Sequence, residues 1–156
     1  MRGKPAPKRA IAPDVKFNRE DVAKFINYIM DGGKKTIAQN IVYDMMEIVS
    51  KKTKQDPAEV FDTAIKNIAP TVEIRGKRVG GANYQVPVAV RSERSFTLAC
   101  RWIIAAAKAK KGKKMAERLA EEFIAAFNNE GAAIKKKQDT YRMAEANRAF
   151  AHFGRR

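Results

Sequence analysis

The chain has 156 residues, a hydrophobic content of 45% and a formal net charge of +15 at pH 7. Its length suits one domain with a real core, and its charge favours nucleic acid or an anionic membrane surface as partner. The single cysteine, Cys100, excludes a disulfide framework and a thiolate metal cluster. No apolar run reaches the roughly 18 residues of a membrane span, and no secretory signal is recognisable, so the default location is the cytoplasm.

Residues 1–16 combine prolines with basic residues and contain a single acid, Asp14. Proline prevents regular structure, so we predict a disordered basic arm that folds onto RNA or DNA. A solubilising tail is the alternative. The cations of this arm that we expect to contact RNA are Arg2, Lys4, Lys8 and Arg9.

Apolar residues at helical spacing predict six helices in the rest of the chain. Asn18 is the expected cap of the first helix, Asp56 of the third, and Ser92 or Ser95 of the fourth. Cys100 falls in an apolar helical run, which predicts a buried, inert thiol. The six helices cover about residues 18–31, 34–49, 56–69, 92–108, 115–127 and 132–150.

The helical rhythm is interrupted at residues 71–90. Val72 and Ile74 alternate with charged residues before the Gly80-Gly81 pair, and apolar residues recur at every second position after it. Alternation on both sides of a glycine turn predicts a β-hairpin. We expect its basic residues to point outward on a cationic finger: Arg75, Lys77 and Arg78.

The predicted fold is therefore mainly α. A single bundle-like domain of six helices spans residues 17–156 and carries one inserted, projecting β-hairpin at about 71–90. We find no internal repeat and no linker long enough to divide it.

The turn before the second helix has some likeness to a phosphate-binding loop. The pattern GxxxxGK[ST] requires a glycine at position 28 and a hydroxyl at position 35, where the chain has Tyr28 and Lys35. The nucleotide-binding interpretation therefore fails. Lys34 and Lys35 in the first turn of a helix still favour an anionic partner, and a solvated turn is the alternative.

Basic residues form five clusters: the arm, Lys34-Lys35, the hairpin, Lys108–Lys114 and Lys135–Lys137. A single cluster of this kind is often only a solvated face. Five clusters on a chain with few acids predict a shared phosphate-binding surface.

Nothing in the sequence favours catalysis. His152 is the only histidine, and no cysteine or paired carboxylate accompanies it. Metal ligands at usable spacing are absent. We therefore predict no enzymatic activity, no metal, no cofactor and no small-molecule substrate.

Four separated segments are highly specific: PTVEIRGKRVGGANYQVPVAV (70–90), LACRWIIAAA (98–107), MAERLA (115–120) and MAEANRAFAH (143–152). In these segments, and over essentially its whole length, the chain resembles the bacterial-type family of small-subunit ribosomal protein seven. The resemblance implies a helical fold with a projecting β-ribbon.

The resemblance also implies a function in the ribosome. Family members bind the 3′ major (head) domain of 16S rRNA and nucleate assembly of the subunit head. Their hairpin lies near the exit-site tRNA and mRNA, and their protein neighbours include small-subunit proteins eleven and nine. Some bacterial members also repress translation of their own operon.

We expect affinity to come from cations on phosphates and specificity from RNA shape. The expected rRNA-binding residues outside the arm are Lys34, Lys35, Arg75, Lys77, Arg78, Arg94, Lys113, Lys114, Met115 and Arg118. The residues expected near tRNA and mRNA are Arg78, Gly80, Gly81, Asn83 and Tyr84; for Tyr84 and Met115, core packing is an equal alternative. The alternatives for the whole chain are a DNA-binding architectural or regulatory protein and a membrane-surface binder.

Overall fold

A computed structural model describes residues 3, 6, 7 and 9–155 of the chain. These residues form six α-helices, one antiparallel hairpin and a C-terminal 3₁₀ helix, so the prediction of a mainly helical fold with an inserted hairpin is confirmed. In chain order the elements are α1 (Glu20–Ile29), α2 (Lys35–Thr53), α3 (Pro57–Ile68), β1 (Val72–Val79), β2 (Ala82–Ala89), α4 (Ser92–Ala109), α5 (Met115–Phe127), α6 (Ala132–Ala146) and the 3₁₀ helix (Arg148–Arg155).

The chain divides into two compact units, Met1–Asn40 and Ile41–Arg156. Helix α2 begins in the first unit and continues in the second. The arm residues Arg2, Lys4 and Lys8 lie outside the described residues. The division into an arm of residues 1–16 and a domain of residues 17–156 stays a prediction.

In the first unit, a turn stabilised by Asp14 precedes α1. The Asp14 carboxylate accepts hydrogen bonds from the backbone N–H groups of Lys16 (3.0 Å) and Phe17 (3.1 Å). Helix α1 has Arg19 as its N-cap, not Asn18, because Asn18 has a φ of +50° and cannot precede a helical turn directly. The predicted apolar stripe of α1 is buried, as Phe25 and Ile26 show.

Arg19 also stabilises the start of α1 through its side chain. Its Nε–H donates to Asp21 Oδ1 at 3.0 Å. Burial acts to raise the pKa of Asp21, but the hydrogen bonds from Arg19 and from the Val22 N–H, together with the Arg19 charge, outweigh it, and the pKa lies below its ordinary value. The Asp21 carboxylate therefore stays ionised at a helix N-terminus, where negative charge is favourable.

In the second unit, helix α3 begins as predicted. Asp56 is the N-cap of α3, its Oδ1 accepts from the Ala58 N–H at 3.1 Å, and Pro57 occupies the first helical position. The predicted serine cap of α4 is wrong. Ser92 is already helical, and Ser95 donates its hydroxyl to the carbonyl of Pro70 at 2.7 Å, so it joins α4 to the start of the hairpin.

The core of the second unit lies between α3, α4 and α5, which pack on one another. Phe61 of α3 stacks on Phe123 of α5 with ring centroids 5.3 Å apart. Cys100 on α4 is fully buried, as predicted. Helix α6 packs against α4 and β1, which brings the hairpin base onto the helical body.

The hairpin has a two-residue turn, Gly80-Gly81, since Val79 pairs with Ala82. Both glycines have positive φ values, +57° and +89°, as a type I′ turn requires. The register also determines which residues share a face of the ribbon. Ile74 lies opposite Pro87, whereas Val86 lies opposite Arg75, so both faces of the ribbon carry apolar residues.

The C-terminal 3₁₀ helix was not predicted, since the sixth helical pattern ran without interruption towards Phe150. Runs of 3₁₀ structure longer than about four residues are uncommon because their hydrogen bonds are poor. Here the helix is stabilised by packing. Tyr84 of β2 contacts Phe150 and Phe153 at ring-centroid distances of 5.0 and 5.4 Å.

Candidate nucleic-acid interface

The described predicted cations of the first unit lie at its surface. Lys34 and Lys35 are exposed, and so is Arg9. Gly32 and Gly33 have φ values of +56° and +74°, which turn the chain sharply into α2. The first turn of α2 contains no acid, so backbone N–H groups and two ammonium groups share one end of the helix. This arrangement suits a phosphate.

The hairpin tip is exposed and carries a single cation. Arg78 pairs across the ribbon with Asn83, and both side chains are exposed. The intervening Gly80 and Gly81 are exposed as well. A tip with no bulky side chain at its turn allows close approach of a nucleic-acid backbone.

Lys77 and Tyr84, one step back from the tip, are directly opposite each other on the ribbon. Both are half-buried by the 3₁₀ helix. The Lys77 ammonium donates to the Phe153 carbonyl at 2.6 Å, and Tyr84 packs on two phenylalanine rings. The structure thus places these two predicted residues under the C-terminal helix.

Two predicted arginines meet at the base of the hairpin. Arg75 of β1 and Arg94 of α4 both bind the carboxylate of Glu73: the Arg75 Nε–H donates to Oε1 at 2.6 Å, and the Arg94 Nε–H to Oε2 at 3.0 Å. The Glu73 side chain is 8% exposed, whereas those of Arg75 and Arg94 are 61% and 44% exposed. Burial acts to raise the pKa of Glu73, but the two arginines outweigh it, and its pKa lies below the ordinary value.

The loop between α4 and α5 presents some of its lysines and ties down others. Lys113 forms an ion pair with Glu121, and this hydrogen bond raises the pKa of Lys113 above its ordinary value. Lys110 pairs with the buried Glu122 at 3.0 Å. Lys114 is exposed at the N-cap of α5. Among the predicted loop cations, Lys114 is therefore better placed for phosphate contact than Lys113.

Met115 and Arg118 belong to the first turns of α5 and are half-buried. The Arg118 Nη1 donates to the Lys110 carbonyl at 2.6 Å, which satisfies a backbone acceptor at the end of α4. Its Nε is buried and has no hydrogen-bond partner within the described residues. Arg118 accordingly holds the loop in shape, in addition to any contact with RNA.

Sequence reasoning did not separate surface lysines from structural ones. In the cluster 135–137, Lys135 and Lys136 are exposed, whereas Lys137 donates to the Asn67 carbonyl at 2.7 Å and lies 5.7 Å from the Tyr141 ring centre. Sequence reasoning also missed the role of Glu73 in binding the two arginines. The available signal was a lone acid in a strand rich in arginine and lysine.

The described residues offer little for other chemistry. His152 is exposed, with Nδ1 3.0 Å from the Ala149 carbonyl and its ring 4.0 Å from that of Phe153. Within the described part of the chain, no group of three acidic, histidine or cysteine side chains could hold a metal ion. None of the helices formed by those residues combines the length and apolar content that a membrane crossing requires.

Comparison with known proteins connects this geometry to a family. The model of the family described as ribosomal protein S7p/S5e matches residues 1–148. The small ribosomal subunit protein uS7 of Thermotoga maritima is 60% identical over 153 residues, covering 98% of this chain and 99% of the relative. Those of Thermotoga neapolitana and Chloroflexus aggregans are 57% and 52% identical, over 98% and 95% of this chain and 99% and 94% of the relatives.

These matches confirm the resemblance seen in the four sequence segments. They also confirm the prediction that the chain is not an enzyme, because the relatives are ribosomal proteins. With a family model that covers nearly the whole chain and relatives above half identity, the chain belongs to the ribosomal protein S7p/S5e family.

Proposed function

We propose that the protein binds the 3′ major (head) domain of 16S rRNA and nucleates assembly of the head of the small ribosomal subunit. Membership of a ribosomal protein family supports rRNA binding and a place in the bacterial cytoplasm, and the relatives are named as proteins of the small subunit. The net charge of +15 supplies the electrostatic part of the affinity.

One observation carries the proposal: three exposed predicted cations lie at turns and helix starts. Lys34 precedes α2, Arg78 lies at the hairpin tip and Lys114 precedes α5. A-form RNA closes its major groove to side chains, so proteins read it at junctions, loops and backbone phosphates. Short basic protrusions suit such junctions better than a flat basic face does.

The hairpin tip is proposed to lie near the exit-site tRNA and mRNA. Arg78 and Asn83 are exposed there beside Gly80 and Gly81, and Tyr84 supports the ribbon from behind. The glycine turn lets the ribbon backbone approach a phosphate chain closely. Cationic and amide side chains next to it then supply hydrogen-bond donors.

Further partners belong to the same proposal. Residues 1–16 are proposed as an arm on rRNA, with residues 17–156 as the RNA-binding domain. Small-subunit proteins eleven and nine are proposed as neighbours. Binding to the mRNA of its own operon, with repression of translation, would use the same cationic surface.

The test is binding of the purified protein to a fragment of the 16S rRNA 3′ domain across a NaCl series. Duplex DNA and an unrelated structured RNA serve as competitors. We expect selective binding at physiological salt, with a slope of log affinity against log salt of about −4 to −9 for six to ten phosphate contacts. Equal competition by all three nucleic acids would contradict the proposal, and preference for duplex DNA would favour the DNA-binding alternative.

Charge-reversal variants locate the surface. Arg78→Glu and Lys114→Glu should each weaken binding to the rRNA fragment. Lys51→Glu is the control of equal charge change. Lys51 is exposed near the end of α2, where it pairs with Glu47 of the same helix at 2.6 Å, and it is not among the predicted contacts. If all three variants bound alike, net charge alone would explain the affinity.

A further inference from the structure

We infer that Glu73 is a positioning residue for RNA binding: it holds Arg75 and Arg94 as a paired phosphate clamp at the hairpin base. The inference rests on the proposed rRNA-binding function. Glu73 is an acid and RNA is negatively charged, so Glu73 would otherwise be expected to weaken RNA binding.

The geometry of the three side chains carries the inference. Oε1 of Glu73 binds Arg75 through its Nε, at 2.6 Å, and through one terminal nitrogen, Nη2. Oε2 binds Arg94 through Nε at 3.0 Å, so each carboxylate oxygen serves one guanidinium. The bond from Arg94 uses its Nε–H, which leaves its terminal N–H groups outside the pair. Guanidinium has a planar fork of donors that matches a phosphate, and it is effective when its orientation is already set.

The exposure of the three side chains also supports the inference. The carboxylate is buried, with the Glu73 side chain 8% exposed, while the two arginine side chains are 61% and 44% exposed. The acid therefore lies beneath the cations. A ligand that approaches from solvent meets two arginines for one shielded negative charge, and the cluster keeps a net positive charge.

The backbone around the cluster is fixed by further hydrogen bonds. Ser95 donates to the Pro70 carbonyl at 2.7 Å, and the Val90 N–H donates to the Thr71 carbonyl at 2.9 Å. These bonds join the two ends of the hairpin to each other and to the first turn of α4, which contains Arg94. Both arginines thus start from a rigid base, which reduces the entropy lost when they bind a phosphate.

Two explanations of the role of Glu73 predict opposite effects of Glu73→Gln on the affinity for RNA. If Glu73 only adds negative charge, Glu73→Gln raises the net charge and should strengthen RNA binding. If Glu73 positions the clamp, the neutral amide loses both charge-assisted bonds, and binding should weaken despite the added positive charge. Glu145→Gln is the matched control, since it removes an exposed acid whose only described partner is Arg148 at 3.4 Å.

The experiment measures affinity of the full chain for the rRNA 3′-domain fragment across a NaCl series. We expect Glu73→Gln to bind about five- to tenfold more weakly than the wild type, with the magnitude of the salt slope reduced by about 1. Glu145→Gln should bind as tightly as the wild type or slightly more tightly. Binding of Glu73→Gln equal to or tighter than that of Glu145→Gln would overturn the inference.

A second variant keeps the test decisive if Glu73→Gln does not fold, which circular dichroism will show. Arg94→Lys preserves the charge at a half-exposed position but removes the planar fork, and we expect about fivefold weaker binding. Unchanged binding of folded Arg94→Lys would refute the clamp. The rRNA-binding function is tested by the selectivity of the wild type alone, whereas the clamp is tested by the ratio of variant to wild-type affinity for one RNA. Failure of the clamp can therefore be distinguished from failure of the proposed function.

Discussion

Glu122 of α5 is a buried acid that connects three helices. Only 1% of its side chain is exposed, and each oxygen has a partner: Oε1 accepts from the Ala133 N–H and Oε2 pairs with Lys110 Nζ, both at 3.0 Å. The first bond satisfies an N–H group in the first turn of α6, and the second reaches the end of α4. A buried carboxylate is tolerated only with such partners, so this residue fixes the relative position of the helix ends.

Gly131 is the position where this arrangement excludes a side chain. Its φ and ψ of 95° and 172° lie in a region open almost only to glycine, and an added Cβ would meet Glu122 Oε1 at 2.8 Å and Ala125 Cβ at 3.1 Å. We expect Gly131→Ala to lower the free energy of unfolding by roughly 2–4 kcal/mol, measured by urea denaturation. The backbone and steric penalties add here.

Gly112→Ala is the control for that experiment. Gly112 also has a positive φ, +84°, but nothing lies within 4 Å of its added Cβ. It should therefore cost only the backbone term, about 1 kcal/mol. Equal losses for the two variants would mean that the Glu122 contact is not tight in solution.

Residue types were easier to predict than residue partners. The burial of Cys100 followed from its apolar helical run, and the cap at Asp56 from the adjacent Pro57. The partners of Glu73 and Arg118 did not follow, because Arg94 and the Lys110 carbonyl lie 21 and 8 residues away. Periodicity describes one element at a time, whereas these contacts depend on how elements meet.

At the scale of elements, the helix starts illustrate how much local sequence decides. Asp56 caps α3 through a 3.1 Å bond to the Ala58 N–H, whereas α4 has no side-chain cap at Arg91. We expect Asp56→Ala to lower the free energy of unfolding by about 1 kcal/mol, because an N–H group at the helix start loses its acceptor. Ser92→Ala should change it by less than about 0.5 kcal/mol.

Urea denaturation of both variants and the wild type measures this difference. A loss for Ser92→Ala as large as that for Asp56→Ala would show that Ser92 caps α4 in solution. No loss for Asp56→Ala would show that water satisfies the start of α3 equally well.

The hairpin was predictable as an element but not in its environment. Alternation and the Gly80-Gly81 pair located both strands and the turn. The register, which could have been counted from that turn, puts Glu73 and Val86 on one face and Ile74 and Pro87 on the other. The packing of the 3₁₀ helix on Tyr84 was not predictable, because that helix is stabilised by long-range aromatic contacts and not by a local pattern.

At the scale of the whole molecule, several of the few acids stabilise the fold. The chain has 17 acidic and 32 basic residues. Asp14 and Asp56 accept backbone N–H bonds, Glu73 holds two arginines, and Glu122 joins three helices. Exposed cations such as Lys34, Lys35 and Lys114 remain in excess over these acids. Much of the positive charge is therefore a cost to folding that an RNA partner would remove.

The free protein should accordingly become more stable as salt is added. Raising NaCl from about 0.01 to 0.1 M shortens the Debye length from about 30 to 10 Å, which screens repulsion between distant cations more than it weakens close ion pairs. We expect the free energy of unfolding in urea, an uncharged denaturant, to rise by roughly 1–3 kcal/mol.

A variant of lower charge tests whether repulsion is the cause of that rise. Lys111→Gln combined with Lys114→Gln removes two exposed cations and lowers the net charge from +15 to +13, since 15 − 2 = 13. Its gain in stability with salt should be smaller than that of the wild type, because fewer repulsive pairs remain to be screened. A wild type that loses stability as NaCl is added would mean that ion pairs such as Lys110–Glu122 contribute more than the excess charge costs. Ion pairs within the free protein would then already offset the repulsion between its cations, and RNA binding would not stabilise the fold by reducing that repulsion.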